Sequence, residues 1–221
     1  GMAYVLKTFN LPYTRGGFGD PIQNLFKFRD GEKVIQVLTL PENQSTEPDK
    51  NIPKLPANNK VQTTLDFMEV PEPEGPLLIA ASNNGFGFRF PLYNLGLTTK
   101  AGKKIFSLKE TDKMIALEII DSKMIFMATA KGKGLVTPLD QVSILSGVGK
   151  GVKLMNVGDS TLVGLIPVNP KDKAILIFDD GSQKNISINS IPIYNRGGLG
   201  TIISKRKKIT GIKKFIKTET K

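Results

Sequence analysis

Leu77-Leu-Ile-Ala-Ala-Ser-Asn-Asn-Gly85-Phe-Gly-Phe-Arg89 aligns without gaps with Met124-Ile-Phe-Met-Ala-Thr-Ala-Lys-Gly132-Lys-Gly-Leu-Val136, and again with Ala174-Ile-Leu-Ile-Phe-Asp-Asp-Gly181-Ser-Gln-Lys184. Each copy is an apolar run, a turn bearing glycine, then a second strand-like run. That is the pattern of a β-hairpin, with glycine supplying the positive φ that such turns need. The period between copies is 47 residues from Gly85 to Gly132 and 49 from Gly132 to Gly181. In this reading Asp179-Asp180-Gly181 is a hairpin turn and not a metal site. Gly85-Phe-Gly87 and Gly132-Lys-Gly134 open no helix, so they are not phosphate loops. Alternation of Phe86, Phe88 and Phe90 with Gly87 and Arg89 predicts a strand that packs one face.

Working outward, a second glycine follows each hairpin glycine by 17 residues: Gly102, Gly149 and Gly198. A further apolar strand comes next, as in Lys104–Leu108 and Gly151–Met155. A polar turn and a last apolar run, such as Met114–Leu117 and Leu162–Ile166, close the unit. Four short strands in 40–50 residues is the signature of a propeller-like blade. An all-β fold of about four to five such blades, closed as a ring or open as a C, is expected, with helix limited at most to a short tail piece.

The N-terminal segment reads as the back of another copy. Tyr4–Phe9 stands for the second hairpin strand, Arg15-Gly-Gly-Phe-Gly19 for the second glycine, and Leu25–Phe28, Asp30-Gly31 and Val34–Leu38 for the remainder. Gly1 ahead of Met2 reads as a cloning remnant, with the native chain beginning upstream. The expected organisation is a partial blade at 1–41, an acidic proline-rich insertion at 42–76, blades at 77–120, 121–168 and 169–214, and a basic tail at 215–221. The insertion carries 3 Lys against 7 Asp and Glu, leaving room for one strand in Asn59–Val70. Residues 205–217 hold seven basic residues and no acid. The spacing of Ile209, Ile212 and Ile216 fits a helix, Gly211 and the β-branched residues oppose one, and a last blade strand is the other reading.

The 221 residues carry 31 Lys and Arg against 20 Asp and Glu, a net charge of +11. An excess of this size points to a polyanionic partner. Cys, His and Trp are absent. Disulfides, zinc sites built on Cys or His, and Ser–His or Cys–His catalysis are therefore excluded. No catalytic residue, metal or cofactor is expected, no apolar run reaches membrane-spanning length, and the cytoplasm is the expected compartment.

Thr14-Arg15-Gly16-Gly17-Phe18-Gly19 and Asn195-Arg196-Gly197-Gly198-Leu199-Gly200 resemble the Arg-Gly-Gly-X-Gly element of the box that marks the C-terminal domains of bacterial type IIA topoisomerase A subunits, those of DNA gyrase and topoisomerase IV. Ser146–Lys153 and Thr99–Lys104 are more degenerate forms. The resemblance covers about 1–41 and 77–214 and implies a β-pinwheel, whose blades exchange strands with their neighbours. No box has a Gln-Arg-Arg start, which leaves gyrase against topoisomerase IV open. The resemblance further implies a non-catalytic module, associated with the bacterial nucleoid, that bends or wraps duplex DNA for ATP-dependent strand passage. Its partners would be the ATPase B subunit and the catalytic part of its own A subunit, with no membrane involved.

Cations near the turns at one rim would touch phosphates without reading bases. The candidates are Lys7, Arg15, Arg89, Lys100, Lys103, Lys104, Lys131, Lys133, Lys150, Lys153, Lys184 and Arg196. The box-like turns are Gly16, Gly17, Gly19, Gly102, Gly149, Gly151, Gly197, Gly198 and Gly200, which tight turns alone also explain. Two other readings stand beside this one: a propeller-type scaffold for protein partners without DNA binding, and an RNA-binding β-domain.

Overall fold

The computed structural model describes residues 1–11, 13, 15–39 and 75–215. Nearly all of the acidic insertion, including Asn59–Val70, lies outside the described residues, as do Thr14 and the tail from residue 216. The strands are β1 (Met2–Ala3), β2 (Leu77–Ser82), β3 (Phe86–Pro91), β4 (Lys103–Lys104), β5 (Met114–Ile119), β6 (Met124–Thr129), β7 (Lys133–Pro138), β8 (Val152–Lys153), β9 (Leu162–Val168), β10 (Lys173–Phe178), β11 (Gln183–Ser187), β12 (Thr201–Ile202) and β13 (Ile209–Lys214). No α-helix occurs among the described residues; the remaining regular pieces are single 3-10 turns.

The hairpins form where the glycines predict them. β2 pairs with β3, β6 with β7 and β10 with β11, all antiparallel, and Gly85, Gly132 and Gly181 have φ of 77°, 81° and 78°. β5, β9 and β13 then pair on the other side of β2, β6 and β10. The fourth strand of each complete sheet comes from the next repeat. β8 lies beside β3 and β12 beside β7, giving the orders β5-β2-β3-β8 and β9-β6-β7-β12. β4 pairs in the same sense with β1. The third sheet has three strands among the described residues, and the outer edge of β11 is open.

Successive side chains of a strand point to opposite faces, and here both faces of β2 and β6 are buried, while β10 buries Ala174, Leu176 and Phe178 and leaves Ile175 and Ile177 half-buried. Ile79 and Ala81 join Ile125 and Met127 in one cluster, while Leu78 and Ala80 join Phe88, Phe106 and Ala3 in another. Phe126 and Ala128 meet Leu176 and Phe178 in a third. The core therefore lies between neighbouring sheets, which is why the central strands read as continuous apolar runs.

The exchanged strands also correct the glycine alignment. Gly102, Gly151 and Gly200, at φ of 72°, 72° and 69°, each open an exchanged strand. Gly102 is thus equivalent to Gly151 and Gly200, where the uniform 17-residue spacing matches it to Gly149 and Gly198. The loop of the first complete repeat is two residues shorter: Thr98 donates its amide to Val5 as Leu145 does to Arg89 and Tyr194 to Val136, so Thr98 matches Tyr194, Lys100 matches Gly198, and the arginine position between them is lost. Thr98 Oγ1 accepts from the Val5 amide at 2.8 Å and donates to the Val5 carbonyl at 3.3 Å.

At the N-terminus, the Gly1 carbonyl accepts from the Ile105 and Phe106 amides, as Gly85 does from Leu154 and Met155 and Gly132 from Ile203 and Ser204. Gly1 therefore stands where the other repeats have their hairpin glycine. The strand that follows is Met2–Ala3, not Tyr4–Phe9, and Thr8–Asn10 is the 3-10 turn matching Leu92–Asn94, Leu139–Gln141 and Ile188–Ser190. Among the described residues, Leu25–Phe28 and Val34–Leu38 form no ladder. They pack by side chains instead: Tyr4 meets Phe26 and Phe28 with ring centroids 4.9 and 5.0 Å away. The tail reading resolves as strand, since Ile209–Lys214 is β13, paired with β10.

Glu118 on β5 is partly buried and accepts from Gln36 Nε2 at 2.8 Å. Burial pushes its carboxyl above the ordinary glutamate range, against the lowering effect of that hydrogen bond. A raised carboxylate pKa in the fold penalises the native state above that pKa and is harmless below the unfolded value. Glu118→Gln keeps the acceptor and should raise the thermal midpoint at pH 7, with the gain vanishing below about pH 4; thermal melts across pH measure this. The glycines give a second test. A Cβ on Gly151 would strike the Gly87 carbonyl oxygen, and one on Gly200 that of Gly134, whereas Gly181 has open space around it at similar φ. Gly151→Ala should therefore cost clearly more than Gly181→Ala, whose cost is about 1–2 kcal/mol of left-handed strain, as read from urea midpoints.

Candidate nucleic-acid interface

Each exchanged strand draws a polar turn onto the seam between two sheets. The turn at Asn195–Gly200 is held from several sides. The Arg196 amide donates to Gln141 Oε1 at 2.9 Å, while Gln141 Nε2 donates to Asn195 Oδ1 at 3.0 Å. The Gly197 amide donates to the Leu154 carbonyl at 2.7 Å, and the Asn156 amide to the Gly198 carbonyl at 2.9 Å. Upstream, Tyr194 donates its amide to Val136, and Ile193 and Val136 form a parallel bridge. Ile144 and Arg89 form the same bridge one repeat earlier.

The two intact Arg-Gly-Gly turns share a backbone pattern. Gly16 and Gly197 both have φ of 79°, and Gly19 and Gly200 have 73° and 69°. Arg15 and Arg196 are exposed on these turns. Of the middle repeats, one puts Gly147 in the arginine position, and the other has only Thr99 between Thr98 and Lys100, the matches of Tyr194 and Gly198.

The structure sorts the twelve candidate cations. Arg15, Lys100, Lys103, Lys104, Lys150, Lys153 and Arg196 are exposed on box turns or exchanged strands and so belong to the seams. Lys150 Nζ lies 4.0 Å from the centroid of the Phe86 ring, and Arg196 Nη1 reaches the Lys153 carbonyl at 3.5 Å. Lys103 Nζ donates to the Asn94 carbonyl. Lys131 and Lys133 sit at a hairpin tip, where Lys131 pairs with Asp159 and holds that carboxyl below the ordinary aspartate range. Lys7 precedes a 3-10 turn, and Lys184 lies on the open edge strand β11. Arg89 departs from the set. It is 8% exposed, and its Nε donates to the Val142 carbonyl at 2.7 Å. Strand β3 points this side chain into the packed junction with the next repeat, where it supports the chain at Val142–Ile144 and is withdrawn from any rim. Among the aromatic residues, Phe88 and Phe90 are core, whereas Phe86 lies beneath a cation.

Gln141 was invisible to sequence reading. It lies on a 3-10 turn 55 residues from Arg196, and only the exchanged strand brings the two together. Asp180 is a turn residue: its Oδ1 accepts from the Ser182 amide at 2.9 Å and its Oδ2 from Lys207 Nζ at 2.6 Å, with the carboxyl held well below the ordinary range by that lysine. No helix among the described residues is long and apolar enough to cross a membrane.

Repeated sheets that each take their outer strand from the following repeat define a β-pinwheel, a variant of the propeller class. The profile of the DNA gyrase C-terminal domain, beta-propeller, matches residues 76–121, 123–169 and 179–210, and the chain belongs to that family. It is 24% identical to the DNA gyrase A subunit of Pseudomonas aeruginosa over 91% of this chain and 24% of that one. It is 22% identical to the gyrase A subunit of Rickettsia conorii over 93% of this chain and 31% of that one. The chain thus spans 24% and 31% of these relatives' length. In fold it is similar to the C-terminal domain of E. coli ParC, with TM-score 0.68 and 21% identity over 97% of this chain and 78% of that one. A DNA gyrase A C-terminal domain aligns with TM-score 0.60 and 17% identity over 65% of this chain and 52% of that one.

Gln141→Ala removes both side-chain bonds to the Asn195–Gly200 turn without touching a ladder. Amide exchange at Arg196 should accelerate while β6 and β7 stay protected, as hydrogen exchange read by NMR will show.

Proposed function

We propose that this chain is a non-catalytic module that binds duplex DNA through phosphate contacts along its sheet seams and bends it. The observation that carries the reading is the recurrence of a box turn and an exchanged strand, with exposed cations, at successive seams. Such a row follows the stacking of the sheets and offers a curved path to a polyanion. Bending a 20–30 bp site by 40–90° costs of order 1–6 kcal/mol, so several contacts must act together. Only Arg15 and Arg196 keep the arginine of the box, which favours a weaker wrap than a domain with every box intact.

Membership of the gyrase family supports a place within a bacterial type IIA topoisomerase, of the gyrase or topoisomerase IV kind, in the cytoplasm at the nucleoid. There the module would present DNA to the catalytic part of its A subunit, with an ATPase B subunit driving strand passage. The blades at 77–120, 121–168 and 169–214 would each hold one hairpin, the exchanged strand lent to the preceding sheet, and the strand paired on the hairpin's other side. The scaffold alternative predicts binding that does not depend on salt in this way, and the RNA alternative predicts preference for single strands.

The log of the affinity for a random duplex should fall linearly with the log of salt concentration, by about 0.9 per phosphate neutralised. Arg15→Ala and Arg196→Ala should each weaken binding on every sequence and reduce that slope by about one. Titrations at four salt concentrations test this; two variants with unchanged affinity and slope would show that the box arginines do not touch DNA.

A further inference from the structure

At each seam a hairpin tip is clasped to the turn that follows an exchanged strand. Asn84 Nδ2 donates to Asp112 Oδ1 at the first seam, and Lys131 Nζ to Asp159 Oδ2 at the second. In both, the hairpin supplies the donor and the turn supplies the acid. At the last seam the polarity is reversed. Asp180 is on the hairpin, and Lys207 of the turn donates to it at 2.6 Å, its Nζ also lying 5.6 Å from the centroid of the Phe178 ring.

The reversal leaves a concentrated charge. The turn between β8 and β9 holds one acid, Asp159, and no base, and that between β4 and β5 holds Lys109, Glu110, Asp112 and Lys113. The turn between β12 and β13 holds Lys205, Arg206, Lys207 and Lys208 and no acid. Lys207 is taken by the clasp. Lys205, Arg206 and Lys208 are exposed, with no carboxylate in ion-pair range among the described residues. Asp179 on the facing hairpin touches the turn through its backbone, its amide donating to the Lys208 carbonyl at 3.1 Å.

The turn is also held in shape from both ends. The Ile203 and Ser204 amides donate to the Gly132 carbonyl at 2.8 and 3.1 Å, and the Ile209 amide to Ala130 at 3.0 Å. Ser204 Oγ closes the turn by donating to the Lys207 carbonyl at 2.8 Å. A preformed cationic turn loses little backbone freedom on meeting an anion. Through the two-residue strand β12 it continues directly from the box turn of Arg196, and Lys133 stands opposite Ile202 in that ladder.

We propose that the Ser204–Lys208 turn is the strongest single anchor for duplex DNA on this chain, so that the DNA path is held asymmetrically, most tightly at the last seam. The inference rests on the DNA-binding reading and adds a position to it: three phosphate contacts beyond the seams' own cations, continuous with Arg196.

The experiment compares two triple variants of the full chain for binding to a random duplex of about 30 bp. Lys205→Gln/Arg206→Gln/Lys208→Gln removes the anchor. Lys123→Gln/Lys171→Gln/Lys173→Gln removes the same charge near the opposite ends of the hairpins. The first should lower the salt slope by between about two and three units and weaken binding by about tenfold or more at fixed salt, exceeding the Arg15→Ala/Arg196→Ala pair. The second should leave the slope within about half a unit. Equal losses from both triples would mean that net charge alone acts and would overturn the anchor. So would a first triple that binds like the parent chain, while the box arginines still matter. A parent chain that binds no duplex at low salt overturns the anchor together with the reading beneath it.

Discussion

Everything in this fold hangs on a very short antiparallel contact, two residues of one repeat laid against the outer hairpin strand of the repeat before. Met2–Ala3 with Lys103–Lys104, Phe86–Gly87 with Val152–Lys153, and Lys133–Gly134 with Thr201–Ile202 are three instances of one design. A ladder of that length contributes little by itself, since a net hydrogen bond is worth about 0.5–1.5 kcal/mol. Its geometry is fixed by what flanks it. On one side a glycine with positive φ lies against a neighbouring carbonyl, at Gly151 and Gly200, or against the Tyr4 ring, at Gly102; on the other, a hairpin carbonyl accepts two successive amides. These constraints deliver the box turn to the seam, and the apolar faces then pack sheet on sheet.

The three hairpins were legible because both their glycines and the apolar runs recur with the repeat. Legibility failed where the signal depended on counting through a loop. The first complete repeat lacks two residues before Gly102, and a constant spacing counted from the hairpin concealed the deletion by matching a different glycine two positions away. Lys100 therefore falls at the place of Gly198, and the arginine position goes with the deleted residues. At the N-terminus, Lys7-Thr8-Phe9 looks like strand because its neighbours are β-formers, yet it aligns with the turn at Pro91–Leu92–Tyr93.

The candidate site was half readable. Lysines and arginines can be found in a sequence, but their direction cannot. Arg89 alternates with phenylalanines and so seemed to face outward from an apolar face; a central strand buried on both sides has no outward face. Lys150 and Lys153 lie on the seam because Val152 pairs with Gly87, a partner 65 positions earlier. Gln141 owes its part to the same long-range pairing. What a sequence displays is the charge, and what the strand exchange decides is which charges share a surface.

Strand exchange in one direction also has a consequence for how the chain acquires its shape at the ribosome. The hairpin of each repeat emerges before the residues that will cover its outer edge, which arrive one repeat later. A growing chain therefore carries an uncovered edge at its newest repeat until the next repeat arrives. Such an edge invites pairing with a foreign strand. Among the described residues β11 is the strand left in that condition, and it begins Gln183-Lys184-Asn185, where β3 has Gly87-Phe88-Arg89 and β7 has Gly134-Leu135-Val136. Its lysine and amides make a poor template for another chain, which gives Lys184 a protective task of its own, separate from any contact with an anion.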